Sequence, residues 1–261
     1  MKDSVLIIGG GAMGGALARC WHAANLLDIQ VVEHHSERAE ALRALGIIVH
    51  DALPSSPTPT ALVLAIKPQQ FAEMVPQLRA ACGPDTLLIS IMAGTTLATL
   101  AAVSDRTLRV MPNLPVTVGA GMSVLCAPTL NAADRAFAER LFAATGSYVW
   151  VADEALLPVA TAISGSGPGY LFMFMQALEA AAIAHGLDAP TARLLVSQTV
   201  SGAGALAAAS QTSFSELTQQ VASKGGTTEA ALSVFHAGDF NRLIAAAVEA
   251  ALSRAHALAN G

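Results

Sequence analysis

The chain is predicted to have an α/β fold, with a doubly wound parallel sheet in the N-terminal half followed by an all-α region. Short apolar runs rich in β-branched residues alternate with helical segments as far as residue 152. Such alternation is typical of a parallel sheet with helices on both faces. From Asp153 onwards the patterns are helical only. We therefore expect two domains, residues 1–152 and residues 153–261.

The composition indicates a globular chain with much apolar surface to bury. Only 13% of its 261 residues are charged, the net charge is −5 and the mean hydropathy is +0.52. An acidic chain offers nucleic acid no basic face, so no such partner is expected. Since a monomer would leave much apolar surface in water, an oligomer is the favoured state.

Neither a membrane segment nor a metal site is predicted. The uncharged stretches 110–133 and 155–178 are long enough to span a bilayer, but proline, glycine and polar residues interrupt both. Asp3 and five glycines between positions 9 and 15 do not suit a signal helix. The three cysteines lie in no CxxC pair or histidine cluster, which argues against a disulfide framework and a zinc site. These features predict a cytoplasmic protein without a membrane partner.

The first predicted strand, residues 4–8, runs directly into a glycine-rich turn and an alanine-rich helix. The glycines match the spacing G-x-G-x-x-G, in which the first permits a tight turn and the second lets backbone approach a pyrophosphate. The third lets helix and strand pack closely. This context predicts a Rossmann domain that binds a dinucleotide at the helix N-terminus, rather than a turn that only packs. The residues expected at the cofactor are Gly9, Gly11, Ala12, Met13 and Gly14.

The end of the second predicted strand bears on which dinucleotide is bound. Glu33 could accept a hydrogen bond from a ribose 2′-hydroxyl, which favours NAD(H). His34, His35, Ser36 and Arg38 offer donors to the extra phosphate of NADP(H). Because strand side chains alternate, Glu33 and His34 are not expected to point at the ribose together. The donor cluster favours NADP(H), with NAD(H) as the alternative, and each histidine could instead be a solvated loop residue.

Further strands are predicted within residues 60–71, 85–100, 106–126 and 148–151. In a doubly wound sheet, ligands bind beyond the carboxyl ends of the strands. The residues expected there, near the cofactor, are Ala65, Lys67, Pro68, Ala93, Gly94 and Asn113. For Lys67 the alternative is a plain surface lysine, and for Asn113 it is ordinary turn chemistry.

The C-terminal half is predicted to consist of successive helices. The first two expected helices run from Pro168 to His185 and from Asp188 to Ser210. A third begins with a capping box formed by Ser213 and Glu216 and ends at the Lys224–Gly226 break. A short helix begins again at Thr228, and the last helix, over 240–258, is capped by Asp239. The first of these is apolar nearly all round over its first half, as helices buried on every side are. We therefore predict an intertwined homodimer formed through the C-terminal helices.

Five stretches together resemble one family. In chain order they are "IIGGGAMGGALA", "LAIKPQ", "RVMPNLP", "ISGSGPGYLFMF" and "VASKGGTTEAALSVF". They resemble the reductases of 1-pyrroline-5-carboxylate, and the resemblance extends over essentially the whole chain. It implies a pyridine-nucleotide domain and a helical dimerisation domain, with dimers in some cases assembling into larger rings. It also implies hydride transfer from NADPH or NADH to the imine carbon of the cyclic substrate, which gives L-proline.

Some positions depart from the family pattern. Leu114 stands where threonine is common, and Lys224 stands where proline is common. Gly169 and Met92 each stand where alanine is usual. The changes at Leu114 and Met92 concern the edge of the cofactor site, whereas Lys224 lies in the loop that the family uses for substrate.

By the same resemblance, the substrate lies between the nicotinamide and residues 223–228. Free amides at a helix N-terminus suit a carboxylate, and glycines let that backbone come close. The expected substrate-binding residues are Ser223, Lys224, Gly225, Gly226 and Thr227. Thr228 is the expected catalytic residue, since its hydroxyl suits the ring nitrogen that must hold a proton. The alternatives are a Lys224 side chain in solvent and a Thr228 that only caps the helix.

Two other functions remain open at this point. Hydroxy-acid dehydrogenases of the 3-hydroxyisobutyrate and 6-phosphogluconate type join a similar nucleotide domain to an all-helical one. They usually place a catalytic lysine within a helix of that half, whereas Lys224 lies in a glycine break. A non-catalytic dinucleotide-binding protein is the second alternative, and it would bind the cofactor without consuming it.

Overall fold

The computed structural model describes residues 3–25, 27–54 and 58–260, and within them it contains one eight-stranded sheet. The strand order is β3-β2-β1-β4-β5-β6-β7-β8, and every neighbouring pair is parallel except β6 with β7. The strands are β1 Ser4–Ile8, β2 Asp28–Val32, β3 Ile48–His50, β4 Ala61–Leu64, β5 Leu87–Ser90, β6 Thr107–Met111, β7 Gly121–Cys126 and β8 Gly146–Trp150. The predicted α/β class with a doubly wound sheet is confirmed.

Helices cover both faces of this sheet. They are α1 Ala12–Ala23, α2 Ser36–Arg43, α3 Phe71–Ala81, α4 Leu97–Leu100 and α5 Ala132–Ala143. On one face α1 and α5 pack together, and Trp21 meets Phe142 edge to face with ring centroids 5.8 Å apart. On the opposite face Leu78 of α3 and Leu100 of α4 are fully buried against the sheet. Successive strand residues thus point into two separate cores, as the period of two requires.

Five neighbouring strands of the sheet, β2, β1, β4, β5 and β6, run parallel to one another. The carboxyl ends of β1, β2, β4, β5 and β6 therefore lie along one edge. The short edge strand β3 was not predicted, because its three residues are half-exposed or exposed and show no long apolar run. The order reverses between β1 and β4, and such a reversal is where ligands bind in open α/β sheets.

By packing, the chain divides into two compact units. One comprises the chain as far as Pro168 together with the residues from Ala251 onwards, and the other is Gly169–Ala250. The predicted domain boundary after residue 152 follows the end of the last strand. Residues 153–168 nevertheless pack with the sheet, because Leu157 is buried against Val124 and Cys126 of β7. This segment includes α6 Leu157–Ala160 and a π-helical turn at Thr161–Gly165.

The remaining helices agree closely with the predicted pattern. They are α7 Gly167–Ala184, α8 Ala189–Ala209, α9 Phe214–Val221, α10 Thr227–Ala237 and α11 Phe240–Asn260. The Asp188 carboxylate caps α8 by accepting a hydrogen bond from the Thr191 amide at 2.9 Å. The Ser213 and Glu216 capping box forms as predicted, with the Ser213 amide 3.0 Å from the Glu216 carboxylate.

One helix start and one helix cap differ from the prediction, whereas α11 begins at Phe240 as predicted. Helix α10 begins at Thr227, with Gly226 as its cap, so Thr228 is the second helical residue and not the first. Asp239 has a positive φ of 53°, and its carboxylate lies 2.9 Å from Nε of Arg242. An N-cap residue normally has an extended backbone, which Asp239 does not have. Its side chain forms an ion pair with Arg242 instead of capping α11 in the standard way.

The second unit exposes large apolar side chains. Helix α7 was expected to be buried on every side, yet in the single chain Leu171, Phe172 and Met173 are more than half exposed, and Met173 is 75% exposed. Apolar surface of this extent on a helix is typical of a protein–protein contact. No helix in the described part of the chain is long and apolar enough to span a membrane.

Candidate active site

The glycine-rich turn after β1 has the shape that a pyrophosphate requires. Gly9 has φ +101°, and a Cβ there would lie 2.6 Å from the Ala65 carbonyl oxygen. A Cβ at Gly14 would collide with the Gly9 carbonyl. At Gly11, by contrast, the nearest atom to an added Cβ is the Arg38 Nη1 at 3.9 Å. The first and third glycines therefore allow tight packing, and the second leaves open space beside the N-terminus of α1.

A cavity of about 400 Å³ lies beyond the ends of β1, β2 and β4. The predicted cofactor residues that line it are Gly9, Gly11, His34, Ala65 and Lys67. Glu33 and Arg38 also line it. The cavity is the candidate site for the adenosine half of a dinucleotide, because it lies over the half of the sheet that includes β2. Ala12, Met13, Gly14, His35, Ser36 and Pro68 border this region in sequence but do not line the cavity.

Glu33 is buried at the mouth of this cavity. Its Oε1 accepts a hydrogen bond from the His35 amide at 2.8 Å, and its Oε2 lies 3.7 Å from Nη1 of Arg38. Both Glu33 and His34 line the cavity, because β2 ends at Val32 and strand alternation does not extend to them. The prediction that only one of the two could face the ribose rested on a longer strand. The Glu33 carboxylate and the Arg38 guanidinium thus lie together in the part of the cavity that the residues after β2 line.

A second cavity, of about 410 Å³, lies beyond the ends of β5 and β6. Ala93 and Gly94 line it as predicted for the cofactor, together with Met111 and Thr161. Gly94 has φ +76°, a conformation that glycine adopts without steric cost. In a sheet of this order, the nicotinamide half of a dinucleotide lies on the β4–β5–β6 side. The second cavity is therefore the candidate site of hydride transfer.

Asn113 lines neither cavity. Its side-chain amide is 9% exposed, donates from Nδ2 to the Ser164 carbonyl at 3.1 Å and accepts at Oδ1 from the Met122 amide at 2.8 Å. These bonds join the turn after β6 to β7 and to the π-helical turn. The geometry favours the alternative role for Asn113, in which the amide holds turns in place.

An ion pair in the second cavity was not predicted from the sequence. Arg109 and Glu154 both line it, with 2.5 Å between Nη1 and Oε1. A signal was available, because Arg109 is a charged residue between the buried Leu108 and Val110 in a β-strand. Such a residue normally has a specific partner. That partner is distant in sequence and only the fold reveals it.

Cys126, which pairs in register with Arg109, does not line this cavity. Burial raises the pKa of Cys126, the Glu154 carboxylate raises it further and the Arg109 guanidinium opposes the rise. A thiol needs a lowered pKa to react at neutral pH. Hydride transfer assisted by polar groups therefore suits this site better than covalent catalysis.

The loop before α10, which is predicted to bind substrate, lies in the second unit. Gly225 has φ +75°, and its amide donates to Oε2 of Glu229 at 2.7 Å. The Gly226 amide donates to the Ser223 carbonyl at 2.9 Å. These two amides are therefore already paired. Within the described residues, the amides of Thr227 and Thr228 donate no hydrogen bond, as is usual in the first turn of a helix.

The side chains of this loop are accessible. Ser223, Lys224 and Thr227 are exposed, whereas Thr228 is half-buried. Helix α10 has no side-chain cap, so the hydroxyl of Thr228 is not used as one. The loop thus presents backbone donors, a lysine and a threonine hydroxyl at the positive end of a helix dipole.

The sheet, the glycine turn and the two cavities at its carboxyl edge define a pyridine-nucleotide-dependent oxidoreductase. Residues 4–94 match the family model for the NADP oxidoreductase coenzyme F420-dependent domain. Residues 154–258 match the model for pyrroline-5-carboxylate reductase dimerisation. With the relatives described next, these matches show that the chain belongs to the pyrroline-5-carboxylate reductase family.

The chain is 44% identical to the pyrroline-5-carboxylate reductase of Haemophilus influenzae over 198 residues, which cover 74% of this chain and 73% of that protein. It is 34% identical to the Pseudomonas aeruginosa enzyme over 98% of this chain and 96% of that one. The structure of a pyrroline-5-carboxylate reductase from Coxiella burnetii superposes with a TM-score of 0.91 at 31% identity, and the match covers 99% of each chain.

A structure of the Plasmodium falciparum enzyme with NADP bound has a TM-score of 0.86 and 26% identity, over 98% of this chain and 99% of that one. A D-mandelate dehydrogenase with NADH has a TM-score of only 0.53 at 13% identity, covering 74% of this chain and 78% of that one, and so shares the fold alone. The comparisons therefore favour the imine reductase over the hydroxy-acid dehydrogenase alternative.

Proposed function

We propose that this chain reduces the imine carbon of 1-pyrroline-5-carboxylate with NAD(P)H to give L-proline, and that it prefers NADPH to NADH. The observation that carries the proposal is the open space at Gly11, which lines the cavity beyond the ends of β1, β2 and β4. The identity to named reductases over nearly the whole chain supports the choice of substrate.

The first unit holds the cofactor. The backbone around Gly11 and the N-terminus of α1 receive the pyrophosphate. Ala93 and Gly94 line the cavity at the nicotinamide end. When bound, the reduced nicotinamide supplies the hydride. Met111 lines the same cavity and contributes an apolar side chain to it.

The preference for NADPH depends on the groups after β2. Arg38 and the N-terminus of α2, which begins at Ser36, attract the additional phosphate. Glu33 would repel that phosphate, but its carboxylate is already engaged by the His35 amide and is close to Arg38. The repulsion is thereby reduced, and NADH remains the weaker alternative.

The loop before α10 binds the substrate carboxylate in this proposal. The unpaired amides of Thr227 and Thr228 are the donors, because those of Gly225 and Gly226 are taken. Lys224 adds a positive charge next to them. The ring nitrogen of the substrate has to gain or keep a proton while hydride reaches the neighbouring carbon, and the Thr228 hydroxyl donates a hydrogen bond to it. Positioning supplies most of the acceleration.

The working form is proposed to be a cytoplasmic homodimer formed through the C-terminal helices, or a larger assembly of such dimers. The exposed apolar side chains of α7 support this, as does the match to the dimerisation model.

The test is the loss of nicotinamide absorbance when the cyclic imine is added, with NADPH and NADH run side by side and L-proline identified as product. Turnover with NADPH that is faster than with NADH is expected. A non-catalytic dinucleotide-binding protein would bind NADPH and leave it unconsumed. Oxidation of a small hydroxy acid without imine reduction would favour the dehydrogenase alternative and overturn the proposal.

A further inference from the structure

One oxygen of Glu154 joins two parts of the second cavity. Its Oε1 accepts hydrogen bonds from Nη1 of Arg109 at 2.5 Å and from the backbone amide of Leu97 at 2.7 Å. The Arg109 side chain is only 11% exposed and that of Glu154 is 27% exposed. Charge-assisted bonds of this kind are short and are stronger when partly shielded from water.

The position of Leu97 gives this contact its importance. Leu97 is the first residue of α4, and the loop between β5 and α4 contains Ala93 and Gly94, which line the nicotinamide side of the site. Within the described residues, no amide from 93 to 96 donates a hydrogen bond. The loop is hydrogen-bonded at its two ends, by the Met92 amide to Oγ of Ser90 at 3.3 Å and by the Leu97 amide to Glu154.

Arg109 fixes the other side of the carboxylate. It lies in β6 and pairs in register with Ser90 of β5 and with Cys126 of β7, so its backbone cannot shift without moving the centre of the sheet. Glu154 itself begins a 3₁₀ turn after β8. A strand of the sheet thereby holds the carboxylate, and the carboxylate holds the Leu97 end of the loop, whose other hydrogen-bonded amide among the described residues is that of Met92.

We propose that Glu154 is a positioning residue: held by Arg109, it anchors the Leu97 amide and so fixes the Ala93–Gly94 loop against which the nicotinamide end of the cofactor binds. The inference depends on the proposed function for the identity of the cofactor. It assigns to Glu154 no contact with substrate and no proton transfer.

The test compares Glu154→Ala with Glu154→Gln. Alanine removes both hydrogen bonds and leaves a poorly exposed guanidinium without its partner, whereas glutamine keeps an acceptor oxygen and loses the charge. The dissociation constant for NADPH, measured by titration calorimetry in the absence of imine, is expected to rise about tenfold for alanine and about threefold for glutamine. Turnover with the imine should fall in the same order.

Glu139→Ala is the matched control. Glu139 also lies in the first unit and accepts a hydrogen bond from the Trp150 indole at 2.8 Å, but it lines neither cavity. Its loss should change the NADPH dissociation constant by less than about twofold, because surface substitutions away from a site are usually small in effect. The thermal unfolding midpoint of each variant is recorded beside its affinity.

A lower unfolding midpoint with unchanged NADPH affinity would show that Glu154 is only structural, and the inference would be overturned. Equal losses in Glu154→Ala and Glu139→Ala would overturn it as well. If the alanine variant does not fold, the glutamine variant decides by the same two measurements. Since binding is measured without imine, a wild-type protein that fails to reduce the imine would refute the proposed function and leave this test intact.

Discussion

The Glu229 carboxylate accepts a hydrogen bond from the Gly225 amide, with 2.7 Å between Oε2 and the backbone nitrogen. Gly225 lies in the break between α9 and α10, and Glu229 lies four residues later in the first turn of α10. Gly225 has a positive φ, which glycine adopts without strain. The hydrogen bond to Glu229 stabilises this backbone conformation. It also removes one donor from the loop that is proposed to bind a carboxylate.

Replacing Glu229 separates these two effects. Glu229→Gln keeps the acceptor for Gly225 and removes a negative charge, so the KM for the imine carboxylate is expected to stay at or below the wild-type value. Glu229→Ala loosens the loop, and its KM should rise about fivefold through the loss of one charge-assisted hydrogen bond. Steady-state kinetics with saturating NADPH measure both. Glu249→Ala, on the exposed part of α11, is the control. Equal KM values for the two Glu229 variants would contradict this account.

Thr228→Val tests the proposed proton-holding hydroxyl. Valine has a similar shape but cannot hydrogen-bond the ring nitrogen, so kcat is expected to fall by about a hundredfold, the scale of positioned acid–base groups. Thr228→Ser should recover most of the activity. Thr218→Val removes a hydroxyl that bonds only to the Phe214 carbonyl in α9, and it should retain wild-type turnover. Circular dichroism checks the fold, and a folded, fully active Thr228→Val protein would rule out the role.

Cofactor choice is expected to shift at the Glu33 and Arg38 pair. Arg38→Ala removes the guanidinium and should weaken NADPH about tenfold, the scale of a hydrogen bond to a charged group, with little change for NADH. Glu33→Ala removes the buried carboxylate and should raise the ratio of NADPH to NADH in kcat/KM. The two ratios are measured under identical salt. If Arg38→Ala weakens the binding of NADPH and NADH equally, the guanidinium does not contact the additional phosphate, and the prediction is contradicted.

The stability of the first unit should decline in alkali because of Cys82. Burial raises the pKa of this thiol from 9.0 to about 11 in the folded chain. The folded state therefore holds the proton more tightly than the unfolded state, and stability present below pH 9 is lost as the pH rises towards 11. Cys82→Ser should reduce this loss. Urea unfolding followed by the fluorescence of the buried Trp21 measures it, and identical pH profiles for the two proteins would contradict the prediction.

Features that depend on neighbours in sequence could be predicted well. The glycine spacing at 9, 11 and 14 predicted the turn, and Ser213 with Glu216 predicted the start of α9. Both features depend on only a few consecutive residues. The prediction for Thr228 was one residue late, since Gly226 caps α10 without a side chain. Helix ends that lack a side-chain cap leave a weaker signal.

Features that join distant residues could not be predicted. Asn113 was placed at the cofactor, yet its amide bonds to Ser164, 51 residues away. Glu33 and His34 were treated as alternatives because the exact end of β2 was not visible in the pattern. The Glu154 carboxylate was overlooked altogether, since its partner Arg109 precedes it by 45 residues.

By itself, the sequence determined the class of the fold, the dinucleotide turn and the helical second half, because hydrophobic period, glycine spacing and capping act over one or two turns of chain. Only the tertiary structure decided which polar groups line each cavity and which carboxylate accepts the hydrogen bond of the Leu97 amide. Those outcomes depend on where parallel strands end beside one another, and strand order is set by packing of the whole sheet.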